Sequence, residues 1–396
     1  MPGPLPSVTI AVPAFNHARH VVQALDSMLD SGLPDVEIIL CDDASTDNTP
    51  DLIEAWIREH RHAFRRLHLI RHRINAGLCA SLNDIVAEAT GELIHIIASD
   101  DYFLPGGLLT KTRAMVEHPE WQVAFCDGQA VGPENELYLR SLVAAAPFVP
   151  ARLTPEGMGE ELLYHWAPPV HQMTWRRSAY KVHGGDYQYD TTVFCEDYDS
   201  ALWAAGRKIM GFIPEICQAY RYRSWPQTTN RNSIREYRDT AHVLAKNARA
   251  FPAHLRAGCE LLSSIHFNIA IGDHEHLEEL WRQHHAAIHA YHLRIGHTPA
   301  APPDDPAPAT PAPGENAATV TGGLPGILRE RIHDLETLLS QTKASLKNTK
   351  ESLKKRSAEA VHLKEELTAL QHRLRYHAAN PARALNLWWS RLRKKS

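Results

Sequence analysis

The chain has 396 residues, 22% of them charged and 44% hydrophobic, with a formal net charge of −4 at pH 7. That is globular composition, and the length exceeds one ordinary core. No run approaches the roughly 18 apolar residues of a membrane span, and the first residues lack a basic, then apolar, leader, so the sequence predicts a cytosolic chain. The 6 cysteines stand singly (Cys41, Cys79, Cys126, Cys195, Cys217, Cys259), which argues for buried small side chains rather than disulfides or zinc.

Residues 7 to 126 alternate β-branched runs with amphipathic stretches. Strands are predicted at 8–12, 36–41, 67–70, 93–98 and 122–126, and helices at about 20–31, 49–65, 78–90 and 107–117. Such alternation predicts an α/β unit, a mostly parallel sheet covered by helices, taken here as residues 1–230. A helical segment packing on it is predicted for 231–297. Residues 298–326 hold eight prolines, seven alanines and no Lys or Arg, the composition of an extended linker.

Ile332, Leu339, Leu346, Leu353, Ala360, Leu367 and Leu374 then recur every seven residues, which predicts a coiled coil over 327–376 and a homo-oligomer formed through it. Thr342, Thr349 and Arg356 weaken the middle of its second seam. In 377–396, Leu385, Trp388, Trp389 and Leu392 stand beside Arg383, Arg391, Arg393, Lys394 and Lys395. Aromatics with a basic cluster suit peripheral contact with the inner face of an anionic membrane, and equally a face that caps the coil or docks on the body. Residues 327–396 carry 16 basic and 7 acidic residues, whereas 1–297 carry 26 and 36, so an acidic body precedes a basic tail. The acidic body disfavours a nucleic-acid partner.

In parallel sheets ligands lie beyond the carboxyl ends of the strands. Those ends read Pro13-Ala-Phe-Asn16, Asp42-Asp-Ala-Ser-Thr-Asp47 and Ser99-Asp-Asp-Tyr102. Carboxylates gathered at one edge repel one another unless a cation or hydrogen-bond donors compensate, and a hard divalent ion sharing its sphere with phosphate does so. Asp47, ahead of a helix, reads instead as an N-terminal helix former. Neither a GxGxxG after the first strand nor a GxxxxGK[ST] is present, which disfavours dinucleotide dehydrogenases and P-loop NTPases.

Taken in order, Val12-Pro-Ala-Phe-Asn16, Cys41-Asp-Asp-Ala-Ser-Thr-Asp47, Asn75-Ala-Gly-Leu with Asn83, Thr90-Gly-Glu-Leu-Ile, Ala98-Ser-Asp-Asp, Gly184-Gly-Asp, Glu196-Asp-Tyr-Asp and Tyr220-Arg-Tyr-Arg resemble the inverting glycosyltransferases of family 2, which have the GT-A fold. The resemblance spans about residues 6–225. It implies that Pro13, Phe15, Asn16, Asp43, Asn75 and Asp100 bind the nucleotide, with Phe15 against the base and Asp43 accepting a hydrogen bond from it. Asp101, with Asp100, would hold Mn²⁺ or Mg²⁺ on the diphosphate. Asp197 would be the general base, with Glu196 as the second choice, and Arg221, Arg223 and His171 would contact diphosphate or acceptor.

Ala98 stands where many relatives have an acid, and Arg223 where they often have His. The implied reaction moves a sugar from a nucleotide-diphosphate donor, expected to be UDP-linked, to a hydroxyl of a glycan or lipid-linked acceptor in cell-surface polysaccharide synthesis. The competing reading is a coiled-coil assembly protein with a degenerate transferase domain. Two further patterns are weaker. His285, His289 and His292 share helical spacing, but a chain with 25 histidines makes such clusters easily. Trp166, His171, Gln172, Trp175 and Trp225 could face sugar rings or simply pack in the core.

Overall fold

The computed structural model describes residues 5–146, 148–165, 173–222, 233–271 and 277–296. The chain divides into Met1–Pro306 and Ala307–Ser396, and every described residue belongs to the first unit. The linker, coiled coil and basic tail read from the sequence lie outside the described residues, as do Trp166, His171, Gln172, Arg223 and Trp225.

Among the described residues, nine strands form one mixed sheet: β1 (Val8–Ala14), β2 (Val36–Asp42), β3 (Arg66–Arg71), β4 (Leu93–Ile96), β5 (Tyr102–Phe103), β6 (Val123–Val131), β7 (Leu137–Leu139), β8 (Thr174–Arg176) and β9 (Met210–Arg221). From edge to edge the order is β3-β2-β1-β4-β8-β6-β9-β5, with β7 paired to β6. β1 is parallel to β2 and β4, and β2 to β3. β8 is antiparallel to both β4 and β6, and β9 is parallel to β6. The reversal at β8 therefore cancels, and β1 to β4, β6 and β9 all end at one edge of the sheet.

Alternate residues of the parallel strands feed two cores, as the two-residue period of a strand covered on both faces requires. Val8, Ile10 and Val12 of β1, with Val36, Ile38 and Leu40 of β2, pack against Val21 and Leu25 of α1 (Val21–Asp26), Ile53 and Trp56 of α2 (Thr49–His60) and Leu108 and Met115 of α4 (Gly107–Glu117). Ala11, Ile39 and Cys41 face the other way. They join Leu82 and Ile85 of α3 (Leu78–Glu88), Leu162 of α5 (Met158–Tyr164), Leu202 of α6 (Glu196–Gly206), Leu244 of α7 (Ser233–Asn247) and Leu262 of α8 (Ala253–Ile271). All six cysteines are free thiols, five of them buried, as expected.

The first helix is shorter than its periodicity suggests. It stops at Asp26, and Ser27 Oγ turns back to donate to the Ala24 carbonyl. Trp175 is fully buried and stacks on Tyr187 with ring centroids 4.6 Å apart, so it packs the core and faces no sugar. The histidines of α9 (Leu277–Arg294) split between environments: His285 and His289 are exposed, while His292 is buried with its Nε2 2.8 Å from that of His165. Among the described residues no group of three or more His, Cys, Asp or Glu could hold a metal ion, and no helix is long and apolar enough to cross a membrane.

At the edge opposite the strand ends, Glu37 of β2 is fully buried. It accepts from Thr9 Oγ1, from the Thr90 amide and hydroxyl, and from the Gly91 amide. Burial alone would raise its pKa; these donors outweigh burial and hold it below the usual glutamate value. Gly91 is required by close approach, because a Cβ there would stand 2.4 Å from the Thr9 amide nitrogen. The Thr90-Gly91-Glu92 motif thus clasps the far edge of the sheet.

Candidate active site

The loops after β1, β2, β3 and β4 and the end of β9 meet at the shared edge. The first two interlock: Asn16 N donates to Ser45 Oγ at 2.9 Å, and Asn16 Oδ1 accepts from the Thr46 amide at 2.7 Å. Asn16 and Ala44 have φ of 56° and 59°. Such conformations are uncommon outside glycine and persist where the surroundings fix them. Asn16 is therefore a loop strut here, with its side chain committed to the neighbouring loop. Pro13 and Phe15 are half-buried beside it, and Asn75 is exposed, its Nδ2 donating to the Asp43 carbonyl at 3.2 Å.

Asp43, Asp100 and Asp101 are at most 5% exposed, so folding buries all three carboxylates expected at the site. Asp43 accepts the amides of Ala76 and Gly77 at 2.7 and 2.8 Å and faces His72 Nδ1 at 2.7 Å. Gly77 reaches it from a backbone with φ of 90°, a conformation that favours glycine. Asp101 Oδ1 accepts the Arg221 amide at 2.7 Å. His17 Nδ1 lies 2.7 Å from Ser99 Oγ and 3.7 Å from Asp100 Oδ1, which ties the loop after β1 to the one after β4.

Burial lowers the His17 pKa despite the opposing charges of Asp100 and Asp47. His20 nearby is pushed down to about 4, by burial first and then by the Arg221 charge. Both imidazoles are thus neutral at pH 7. Asp47 bonds as a residue leading into a helix: Oδ1 accepts the Thr49 amide at 2.9 Å and Oδ2 the Ala18 amide at 3.1 Å. Burial would raise its pKa, but the bonds from Thr49 and Ala18 hold it low.

The side chain of Arg221 bonds within the protein. Nε donates to the Asp100 carbonyl at 2.8 Å; Nη1 to the carbonyls of Gly132 and Pro133; and Nη2 to Gln23 Oε1 and Asn135 Oδ1, both at 2.9 Å. A guanidinium has five N–H donors, and all are spent. The side chain is buried. In this conformation Arg221 braces the loops after β4 and β6 and has no donor left for a diphosphate.

Glu196 and Asp197 open α6 and are half-buried, with Asp197 Oδ1 accepting the Tyr198 amide at 2.7 Å. The same turn is anchored from α7: the buried Asp199 accepts from Lys246 Nζ at 2.7 Å and from Asn247 Nδ2 at 2.8 Å. Lys246 also bonds Asp190 at 3.0 Å. Burial would raise the Asp190 carboxyl, yet bonds from Thr192 and Lys246 bring it to about 2.

The site also holds residues that motif reading passes over. His72 and His17 are polar side chains in contact with the expected aspartates Asp43 and Asp100. Only their adjacency to strand ends distinguishes them in the sequence.

The sequence profile of "Glycosyl transferase family 2" matches residues 9–184. EpsE of Bacillus subtilis (strain 168), which carries a glycosyltransferase name, is 29% identical over 199 residues, 50% of this chain and 66% of that protein. Chondroitin synthase of Pasteurella multocida (strain Pm70) is 27% identical over 133 residues, 34% of this chain and 13% of that one. The aligned part is thus less than two thirds of the length of either relative. Among solved structures, S. aureus TarS 1-349 in complex with UDP-GlcNAc superposes with a TM-score of 0.51 at 16% identity, covering 74% of this chain and 93% of that one, which shows a shared fold. The ordered motifs, the mixed sheet with its carboxylate edge and the profile match agree, and residues 9–184 carry a glycosyl transferase family 2 domain.

Proposed function

We propose that the protein is an inverting glycosyltransferase that moves a sugar from a nucleotide-diphosphate donor to a hydroxyl of a glycan or lipid-linked acceptor, in the synthesis of a cell-surface polysaccharide. One observation carries the reading: Asp43, Asp100 and Asp101, buried at the ends of β2 and β4, share one sheet edge with the loop that holds Phe15. The glycosyl transferase family 2 match over residues 9–184 supplies a use for carboxylates gathered there, and the UDP-GlcNAc held by the TarS structure makes a UDP-linked sugar the first donor to test.

Asp43 would receive an N–H of the base and Asp100 a ribose hydroxyl. The donor set at Asp100 and Asp101 is all oxygen, which fits Mn²⁺ or Mg²⁺ in company with phosphate oxygens and water. Such an ion would offset charge developing on the leaving diphosphate. Asp197 would take the proton of the attacking acceptor hydroxyl, with Glu196 as the alternative base. The acceptor oxygen bonds to the anomeric carbon as the bond to the diphosphate oxygen breaks, so configuration inverts without a covalent enzyme intermediate.

A thermal-shift screen of UDP, GDP, ADP and UDP-sugars, with and without Mn²⁺, tests this reading. Metal-dependent stabilisation by one nucleotide and slow hydrolysis of its sugar are expected. An assembly protein with an inert body would show neither. For residues 327–396 the proposal rests on the heptads alone: self-association of the chain, with the basic tail offered to an anionic membrane. Sedimentation of the chain with and without 327–396 decides the first part, equal oligomers excluding it.

A further inference from the structure

His72 follows β3 and is bracketed by two carboxylates. Its Nδ1 is 2.7 Å from Asp43 Oδ1 and its Nε2 2.9 Å from Asp84 Oδ2 of α3, with Cys41 Sγ 3.4 Å from the same Nε2. Its backbone amide donates to the Asp42 carbonyl at 2.9 Å. The neighbouring Arg71 turns to Glu54 instead. An imidazole donates to two carboxylates only when both nitrogens carry protons. Burial lowers the pKa of His72, and the two aspartates more than restore it, raising it above the ordinary histidine value.

The arrangement counts the acceptor positions of Asp43. A carboxylate offers about four. Ala76 N and His72 occupy Oδ1, and Gly77 N one position of Oδ2, which leaves one. Asp43 is thereby fixed in orientation from three directions, two of them backbone amides that no side-chain substitution removes. His72 is the one side chain among the three.

We propose that His72 is a positioning residue for nucleobase recognition: held by Asp84, it fixes the Asp43 carboxylate so that its remaining acceptor position serves a base with a ring N–H of the uracil type. This rests on the transferase reading above. Asp84 lies at the surface, 56% exposed, and meets the ring nitrogen of His72 that does not face Asp43. As pH rises through the His72 pKa, the ring loses one of its two donated bonds and its grip on Asp43 loosens.

The test is titration calorimetry of the full chain with UDP, and with inorganic pyrophosphate as a probe that has no base. His72→Ala is expected to weaken UDP about tenfold and pyrophosphate less than about twofold, a single charge-assisted bond being at stake. His72→Asn, whose amide nitrogen can stand near Nδ1, restores most of the affinity. UDP affinity of the wild type falls in one step as pH rises past the ordinary histidine value. Asp84→Asn moves that step to lower pH, and His72→Asn abolishes it.

Equal UDP binding by wild type and His72→Ala overturns the proposal, as does a parallel loss of pyrophosphate binding. If His72→Ala fails to fold, the step in Asp84→Asn decides, and a step that does not move overturns it. A wild type that binds no nucleoside diphosphate overturns the transferase reading, and this proposal with it. A wild type that binds UDP while His72→Ala is unaltered overturns this proposal alone.

Discussion

The amide of Arg221 donates to Asp101 Oδ1 at 2.7 Å, so the carboxylate proposed for the metal is also a hydrogen-bond acceptor for the last residue of β9. Two roles fall on one side chain, and two substitutions separate them. Asp101→Asn keeps an acceptor for the amide and loses the charge. It should melt within about 2 °C of wild type, since less than about 0.5 kcal/mol is at stake, yet lose metal-dependent transfer. Asp101→Ala leaves a buried amide without its partner at a cost of about 1–3 kcal/mol, and should lose both stability and transfer. Paired melting and turnover measurements check this. Transfer by Asp101→Asn at the wild-type rate would exclude the metal role.

Arg221 offers a second separation. Because its five donors hold Gly132, Pro133, Gln23, Asn135 and the Asp100 carbonyl, Arg221→Met should destabilise the fold by about 3 kcal/mol or more, read as a lower urea midpoint. A residue that only gripped diphosphate would instead change donor affinity and leave the midpoint alone.

For the base, Asp197→Asn should bind UDP within about threefold of wild type while turnover falls about 10²- to 10⁴-fold. Unchanged turnover would pass the role to Glu196. Lys246→Met checks the anchoring of this turn. It strips the buried Asp199 of its ammonium partner, and should cost about 2 kcal/mol and depress turnover without weakening UDP.

Acid stability should report Glu37. Its folded pKa lies below the unfolded value of about 4.3, so its contribution is present at neutral pH and is lost as pH falls from there through the folded value. Glu37→Gln should lower the urea midpoint at pH 7, by about 2 kcal/mol, and flatten the decline between pH 5 and pH 3. A variant with the wild-type decline would show that other carboxylates govern it.

The parallel half of the fold was legible because β1, β2 and β4 are short apolar runs between amphipathic helices. β9 was not. Cys126 pairs with Ile213 and Asp127 with Ile216, so Pro214 and Glu215 sit in an irregularity that breaks the two-residue period a strand is recognised by. The aspartates at strand ends were readable because position and residue type both point to chemistry. The bracing bonds of Arg221 were not readable, because they depend on which carbonyls surround it. His72 sits in an Arg-His-Arg run, and its part depends on Asp84, twelve residues away on another element.

Glu37, Thr9 and Gly91 hold the amino-terminal margin of the sheet, and the loops proposed to hold the nucleotide leave the opposite margin. Strand alignment is therefore set at a distance from ligand recognition. Substitutions in the loops after β1 to β4 can therefore change what that margin contacts without breaking the bonds that fix strand register at the other.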